Sequence, residues 1–317
     1  MKSKFYIKTP IYKSHKLKKE QNKNIFYKME CYQPTGSFKI RGMEEFCRFH
    51  FKEGKRNFIT SSGGNAGYSL AYIGKEMGLN VKIVVPKTTS KFMINKITDL
   101  GTEVEVFGNV WDEANQHGLR IAKETNAIYA PPFDDPLLWK GNSTIIDECV
   151  EQIKEPNKII VSVGGGGLLC GILEGIKRNG WSKTEVITTE TEGASSFYQS
   201  YQANKIIELE EITSIATSLG AKKVARKSLE LAYNHNGVSP FVLSDRDAVR
   251  ASLNFLDEYN VLVEPACGAA LSFPYFNSEL IKENETTLVI VCGGVNMSYE
   301  KLYKYHLGFL EESSNLL

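Results

Sequence analysis

Residues 34–42, PTGSFKIRG, set a lysine, Lys39, directly after a turn-forming run and two positions before Arg41. Pro34, Gly36 and Ser37 interrupt regular structure. Phe38, Met43, Phe46 and Cys47 then recur at roughly helical spacing. Lys39 therefore falls near a helix N-terminus, where the macrodipole disfavours a cation. A lysine so placed is either a solvated surface residue or an amine meant to work in its neutral form. Three glycine-rich loops follow, SSGGNAG at 61–67, GGGG at 164–167 and CGG at 292–294, each behind a strand-like run.

The middle loop says most. VSVGGGGLLCGI (161–172) runs from an apolar strand into a helix. Its four glycines let backbone N–H groups approach a ligand closely, and the helix N-terminus adds its own, a combination suited to a phosphate dianion. A tight strand-to-helix turn needs only one or two glycines. No Gly-Lys-Ser/Thr ending follows, so the loop is not a Walker loop. The dinucleotide pattern G-x-G-x-x-G fails in both registers, at Leu169 and at Cys170. Glu190, about 20 residues on, mimics a ribose-binding acid and keeps a nicotinamide enzyme as the alternative. A phosphate-bearing cofactor without ribose fits better. Pyridoxal phosphate needs a lysine, a phosphate cup and a partner for its pyridine nitrogen.

The elements that would position these groups alternate. Strand-like runs at 57–60, 81–86, 103–108, 127–132, 158–163, 185–190 and 287–292 are separated by helix-like runs near 68–77, 91–100, 111–125, 142–154 and from 168. Such alternation argues an α/β fold with parallel sheets, whose ligands bind at the carboxyl ends of the strands. PPFDDP (131–136) reads as a linker, and FDD within it as a helix cap in preference to a substrate contact.

Composition is that of an ordinary globular chain: 317 residues, 42% apolar, 24% charged, net charge +1. No overall basic field points to nucleic acid or a membrane surface, and no apolar run reaches the length of a membrane span. The lysines between 13 and 28 read as a solvated face and not as a targeting peptide. The six cysteines are scattered without a C-x-x-C pair, which fits reduced thiols in the cytoplasm. The five histidines have no metal-like spacing, Arg41 reads as a salt-bridge former, and Glu264 in VEPACG reads as holding a helix start.

Taken in order, ECYQPTGSFKIRG, SSGGNAG, GGGGLLCG and VCGG resemble the motifs of pyridoxal-phosphate enzymes of the tryptophan-synthase-β fold type. PPFDDPLLW, EGASSF, ITSIATSLGAK and LVEPACGAAL extend the likeness to the eukaryotic catabolic L-serine dehydratase / L-threonine deaminase group, from residue 9 to about residue 300. The resemblance implies two open, twisted, mostly parallel sheets flanked by helices. It implies a large cofactor-binding domain (1–34 and 133–317) with an inserted small domain (35–132). It implies α,β-elimination of L-serine to pyruvate and of L-threonine to 2-oxobutanoate, each with ammonia, by a homodimer.

The same resemblance assigns roles. Lys39 matches the Schiff-base lysine and Phe38 the aromatic residue over the cofactor ring. Gly164, Gly165, Gly166, Gly167 and Leu168 match the phosphate cup. Asn65 matches the partner of the ring hydroxyl, Ser218 a small residue of the cofactor site, and Ser62, Gly63, Asn65 and Ala66 the loop gripping the substrate carboxylate. Glu190, with backbone oxygens of Gly164, Ala194, Leu219 and Ala221, matches a monovalent-cation site whose hard ligands suit potassium. Cys292 matches the thiol beside the pyridine nitrogen, a weak partner that leaves the ring largely neutral and favours elimination over transamination. Taken alone, it reads as a small buried apolar residue. Two positions depart or vary: Val295 stands where serine is expected, and Gly63 where serine racemases carry a serine.

Overall fold

The computed structural model describes residues 4–314. In chain order its elements are β1 (Ile11–Lys13), α1 (His15–Gln21), β2 (Asn24–Lys28), α2 (Lys39–Lys52), β3 (Asn57–Thr60), α3 (Asn65–Met77), β4 (Asn80–Val85), α4 (Lys91–Thr98), β5 (Glu103–Val106), α5 (Trp111–Glu124) and β6 (Ile128–Tyr129). After these come α6 (Pro136–Gln152), β7 (Lys158–Ser162), α7 (Gly167–Arg178), β8 (Glu185–Thr191), α8 (Ser196–Ala203), α9 (Arg226–Tyr233), β9 (Val238–Leu243), α10 (Asp245–Tyr259), α11 (Pro265–Phe276), β10 (Thr286–Ile290) and α12 (Tyr299–Ser314).

The strands form two sheets, ordered β1-β2-β10-β7-β8-β9 and β5-β4-β3-β6. All pairings are parallel except β1 with β2. This is the expected α/β architecture. Every residue of β7, KIIVS, is buried, as expected for a strand covered by helices on both faces. Ile159, Ile160 and Val161 pack there with Ile172 and Ile176 of α7 and Leu271 of α11.

Where boundaries differ from the sequence reading, local chemistry explains it. α3 starts at Asn65, three residues before the expected start near Tyr68, because Gly63–Gly67, read as loop residues, turn straight into the helix. A Cβ at Gly67 would lie 1.8 Å from the Ser62 carbonyl oxygen, so only glycine permits that turn. α6 starts at Pro136, ahead of the expected 142, because Asp135 caps it, accepting from Leu137 N at 2.8 Å. The N-terminal strands β1 and β2 lay outside the pattern, as did β9.

Helix α2 is anchored by a buried ion network. Arg41 donates to Glu30 (2.7 Å) and to Glu148 (2.8 Å), and Lys28 donates to Glu148 (2.7 Å), to Thr9 O and to Gln152. Arg41 is thus a salt-bridge former, as expected. Lys28 corrects the reading of the basic N-terminus as a solvated face: its side chain is fully buried. Removing one partner of such a network leaves an uncompensated buried charge, at a cost of about 3–5 kcal/mol.

Candidate active site

The ends of β7 and β10 and the start of α2 meet in one pocket. Ser37, Phe38, Lys39, Asn65, Phe133, Gly164–Gly167, Leu168, Ser218 and Cys292 are among its lining residues. Backbone hydrogen bonds stitch the turn before α2 to the loop after β10. Phe38 N donates to Cys292 O (3.2 Å), Gly294 N to Gly36 O (2.8 Å) and Cys31 N to Val291 O (3.0 Å). This lacing of residues some 250 positions apart is what sets Lys39 opposite Cys292.

Lys39 is the first residue of α2, with no side-chain cap at Phe38. Its Nζ donates to the Pro132 carbonyl at 2.7 Å and lies 5.2 Å from the centre of the Phe38 ring. Burial pulls the amine down from its ordinary 10.5 to about 8, against an opposing pull from Cys292 and Glu264. Of the two readings of this lysine, the structure supports the amine able to work neutral.

Each of the four glycines is needed, for different reasons. A Cβ at Gly165 would fall 2.2 Å from the Phe133 ring, at Gly167 2.5 Å from Phe133 O, and at Gly164 2.9 Å from Leu219 Cα. Gly166 has φ +88°, a left-handed conformation suited to glycine. Phe133, whose ring the sequence reading of FDD as a cap or a substrate contact did not place, is the block on which the loop rests, and Trp139 Nε1 pins its carbonyl at 2.9 Å. No side chain caps α7, so its first N–H groups point free into the cradle. Ser37 Oγ, on the pocket wall, is buried without a hydrogen-bond partner. A glycine cradle, an uncapped helix start, an orphaned hydroxyl and a depressed lysine amine fit a phosphate-bearing aldehyde cofactor.

Asn65 has both polar atoms of its side chain engaged. Its Nδ2 donates to Glu264 Oε1 (3.0 Å) and Ser218 Oγ (3.3 Å), and its Oδ1 accepts from Val295 N (2.9 Å). Ser218 Oγ in turn donates to Glu264 Oε2 at 2.5 Å. Glu264 holds a helix start, as read, but only through its backbone. Its carbonyl accepts from Cys267 N (2.8 Å) and Gly268 N (2.9 Å) at the start of α11, while its side chain makes no capping bond and its carboxylate faces the pocket residues instead. The available signal was a lone acid in the apolar run LVEPACGAAL. Val295 meets Asn65 through its backbone, so the change from serine leaves that bond in place.

Ser62, Gly63 and Ala66 stand at the start of α3 beside Asn65 but outside the pocket wall. Cys292 is buried, and the Cys267 thiol against it, together with burial, pushes its ionisation well up, so it stays a neutral thiol. None of the histidines lines the pocket.

Glu190 is fully buried at the end of β8. Its oxygens accept from Phe197 N (2.9 Å) and Tyr198 N (2.6 Å), and burial pushes its carboxyl up to about 8. Ala194 and Leu219 share one apolar cluster, Leu219 abuts Gly164, and Ala221 N donates to Leu219 O at 2.7 Å. Among the described residues, no group of three or more His, Cys, Asp or Glu is placed to hold a metal ion.

Comparison with known proteins agrees with this geometry. The chain is 42% identical over 309 residues to the human (Homo sapiens) L-serine dehydratase/L-threonine deaminase, covering 94% of this chain and 93% of that one. The crystal structure of a fungal L-serine ammonia-lyase from Rhizomucor miehei superposes with TM-score 0.90 at 35% identity, over 95% of this chain and 98% of that one. A maize serine racemase structure superposes with TM-score 0.86 at 25% identity, over 98% and 94%. The model of the family described as pyridoxal-phosphate dependent enzyme matches residues 2–293. A match running from the N-terminal arm through the loop that carries Cys292 spans every part of the pocket, and the protein belongs to the pyridoxal-phosphate dependent enzymes.

Proposed function

We propose that the protein is an L-serine/L-threonine ammonia-lyase, converting L-serine to pyruvate and ammonia and L-threonine to 2-oxobutanoate and ammonia. The observation that carries this reading is the buried Lys39 amine, held near neutrality opposite a neutral thiol and the glycine cradle. Identity to the human dehydratase over nearly the whole chain supports the same substrates.

Lys39, with Phe38 beside it, holds the cofactor, and Gly164–Gly167 with Leu168 receive its phosphate. When bound, the cofactor withdraws electrons from the substrate Cα. Asn65 and Ser218 would bear on its ring from the same pocket wall, and Cys292 would serve as a thiol that does not hold the ring nitrogen charged. Asn65 and Ala66 present the free N–H groups of the α3 start to the substrate carboxylate, with Ser62 and Gly63 in the turn that leads into it. Once released, the Lys39 amine takes the Cα proton at Nζ, a role for which its lowered proton affinity suits it. The β-hydroxyl takes up a proton as it leaves, departing as water, so the Cα proton and the hydroxyl together leave as one water. The unsaturated amine that remains tautomerises to an imine, and one water hydrolyses its C=N bond to the keto acid and ammonia. Gly63 offers no proton to the opposite face of Cα, which favours elimination over the racemase reading.

The same reading includes a potassium site at Glu190 with oxygens of Gly164, Ala194, Leu219 and Ala221, supported by a buried carboxyl that, among the described residues, has no cationic side chain paired with it. It also includes a small domain at 35–132 within the larger one, supported by the separate four-stranded sheet, and a homodimer. A cytoplasmic location agrees with six free cysteines; among the described residues no helix is long and apolar enough to cross a membrane.

The test is purified protein with L-serine, L-threonine and D-serine, following keto acid and ammonia. Keto acid from both L-substrates is expected. None from either would reject the reading.

A further inference from the structure

Glu264 is 3% exposed and, among the described residues, pairs with no lysine, arginine or histidine within ion-pair distance. Burying a carboxylate without a cation is unfavourable unless hydrogen bonds compensate. Here three do, from three segments. Asn65 Nδ2 comes from the start of α3 (3.0 Å), Ser218 Oγ from the turn 217–219 (2.5 Å), and Asn296 N from the loop after β10 (2.7 Å). Two of these donors, Asn65 and Ser218, line the pocket. The fit is close: a Cβ at Gly294 would lie 2.3 Å from Glu264 Cδ.

A neutral glutamine could make the same three bonds, accepting from Asn65 and Asn296 and donating to Ser218. The network therefore does not need the charge. Two groups of the same pocket feel it, the Lys39 amine and the Cys292 thiol. The other titratable group facing Lys39 is Cys292, and behind it stand the buried Cys267 of α11 and the half-buried Cys31, both thiols. The 61–67 loop and the 217–219 turn bring only the neutral Asn65 and Ser218 to Glu264.

We propose that Glu264 is a positioning residue with two separable roles: its reach fixes Asn65 and Ser218 against the pocket, and its buried charge, without a cation partner among the described residues, acts on the Lys39 amine across that pocket. The second role rests on the functional reading of Lys39 given above. Without the charge, the amine would be neutral at lower pH and a weaker base.

Two variants separate reach from charge. Glu264→Gln keeps the length and removes the charge; Glu264→Asp keeps the charge and shortens the arm by one methylene. Two measurements read them: the pH dependence of kcat with L-serine, and the pH dependence of pyridoxal phosphate uptake by the full-length chain stripped of cofactor, followed by absorbance. For Glu264→Gln both midpoints should move down by about one pH unit, the low end for loss of a nearby opposite charge. For Glu264→Asp the midpoints should stay at the wild-type value while kcat falls about tenfold or more, as Asn65 loses its anchor. Wild-type midpoints in Glu264→Gln would overturn the charge role, and wild-type kcat in Glu264→Asp would overturn the positioning role. If wild-type protein makes no keto acid, the proposed activity falls, while the uptake measurement still decides the charge role.

Discussion

Gly63 faces Thr89 so closely that a Cβ on Gly63 would lie 2.7 Å from Thr89 Cγ2 and 3.0 Å from Thr89 Oγ1, with Val85 Cγ1 also at 3.0 Å. The glycine beside the pocket is therefore fixed by packing as well as by chemistry. A serine there must move Thr89 before its hydroxyl can reach any substrate.

This changes what Gly63→Ser should do. Wild-type enzyme should convert L-serine to pyruvate with little D-serine. Gly63→Ser alone should lose about 1–3 kcal/mol of stability from overpacking and slow elimination, with only a trace of D-serine. Gly63→Ser with Thr89→Ala removes the obstructing methyl and hydroxyl, and should regain stability and form more D-serine. Chiral chromatography of the serine pool and thermal melts read both. Equal racemisation and elimination by the wild type would overturn the role given to Gly63.

The three loops at strand ends were legible because glycine clusters after apolar runs have few other uses, and Lys39 because a cation at a helix start is unusual. Glu264 was not. Its partner Asn65 is 199 residues away, and in VEPACG the Pro265 beside it gives a sufficient local reason for an acid. Lys28 was misread for the same reason. It follows a run of solvated lysines, and only the fold brings Glu148, 120 residues on, to meet it. Local signals mark where backbone turns; they do not mark which distant side chain fills the space. The packing of Phe133 under Gly165 and Gly167 belongs to that second class.

Lys39 carries a stability signature independent of turnover. In the cofactor-free fold its amine titrates near 8, against an ordinary 10.5. Between those values the folded chain binds fewer protons than the unfolded chain, so raising the pH through that window stabilises the fold. Below about pH 8 the buried ammonium bears its full desolvation cost. Lys39→Met should therefore raise the melting temperature of cofactor-free protein at pH 7, and the gain should shrink from pH 8 towards 10.5. The same variant should lose the lysine-linked cofactor absorbance and all elimination. A melting temperature unchanged at pH 7 would argue for a solvated amine.

Glu190 titrates in the opposite sense. Burial lifts its carboxyl to about 8 from an ordinary 4.5. The folded state then binds more protons than the unfolded one across that window, so this residue's contribution falls as pH rises through it. A potassium ion held by the carboxylate would reverse the loss, and must displace a proton to do so below pH 8. Replacing lithium chloride with potassium chloride should therefore raise the melting temperature more at pH 8 than at pH 6, and should raise activity. Glu190→Gln should abolish both responses. Equal melting curves in the two salts at pH 8 would reject the cation site.

Val295 supplies the last test, because its two contacts involve different parts of the residue. Its backbone N–H holds Asn65 Oδ1 at 2.9 Å, which any residue except proline can do. Its side chain covers the turn ahead of α2: Cγ1 lies 2.4 Å from where a Cβ on Gly36 would sit. Gly36, with φ +67°, closes that turn in the left-handed region. Val295→Ser keeps the backbone bond and removes the methyls that pack on the turn. It should destabilise the protein by about 1 kcal/mol, in the range for trimming a partly buried aliphatic group, and change kcat with L-serine by less than about twofold. Gly36→Ala meets both the strained φ and the Val295 methyl, so it should cost more. Combining it with Val295→Ser should recover part of that loss by relieving the clash, while leaving the φ penalty. Denaturant melts of the two single variants and the double variant form a cycle that measures the contact directly. Strict additivity would mean that Val295 does not hold the turn that presents Lys39.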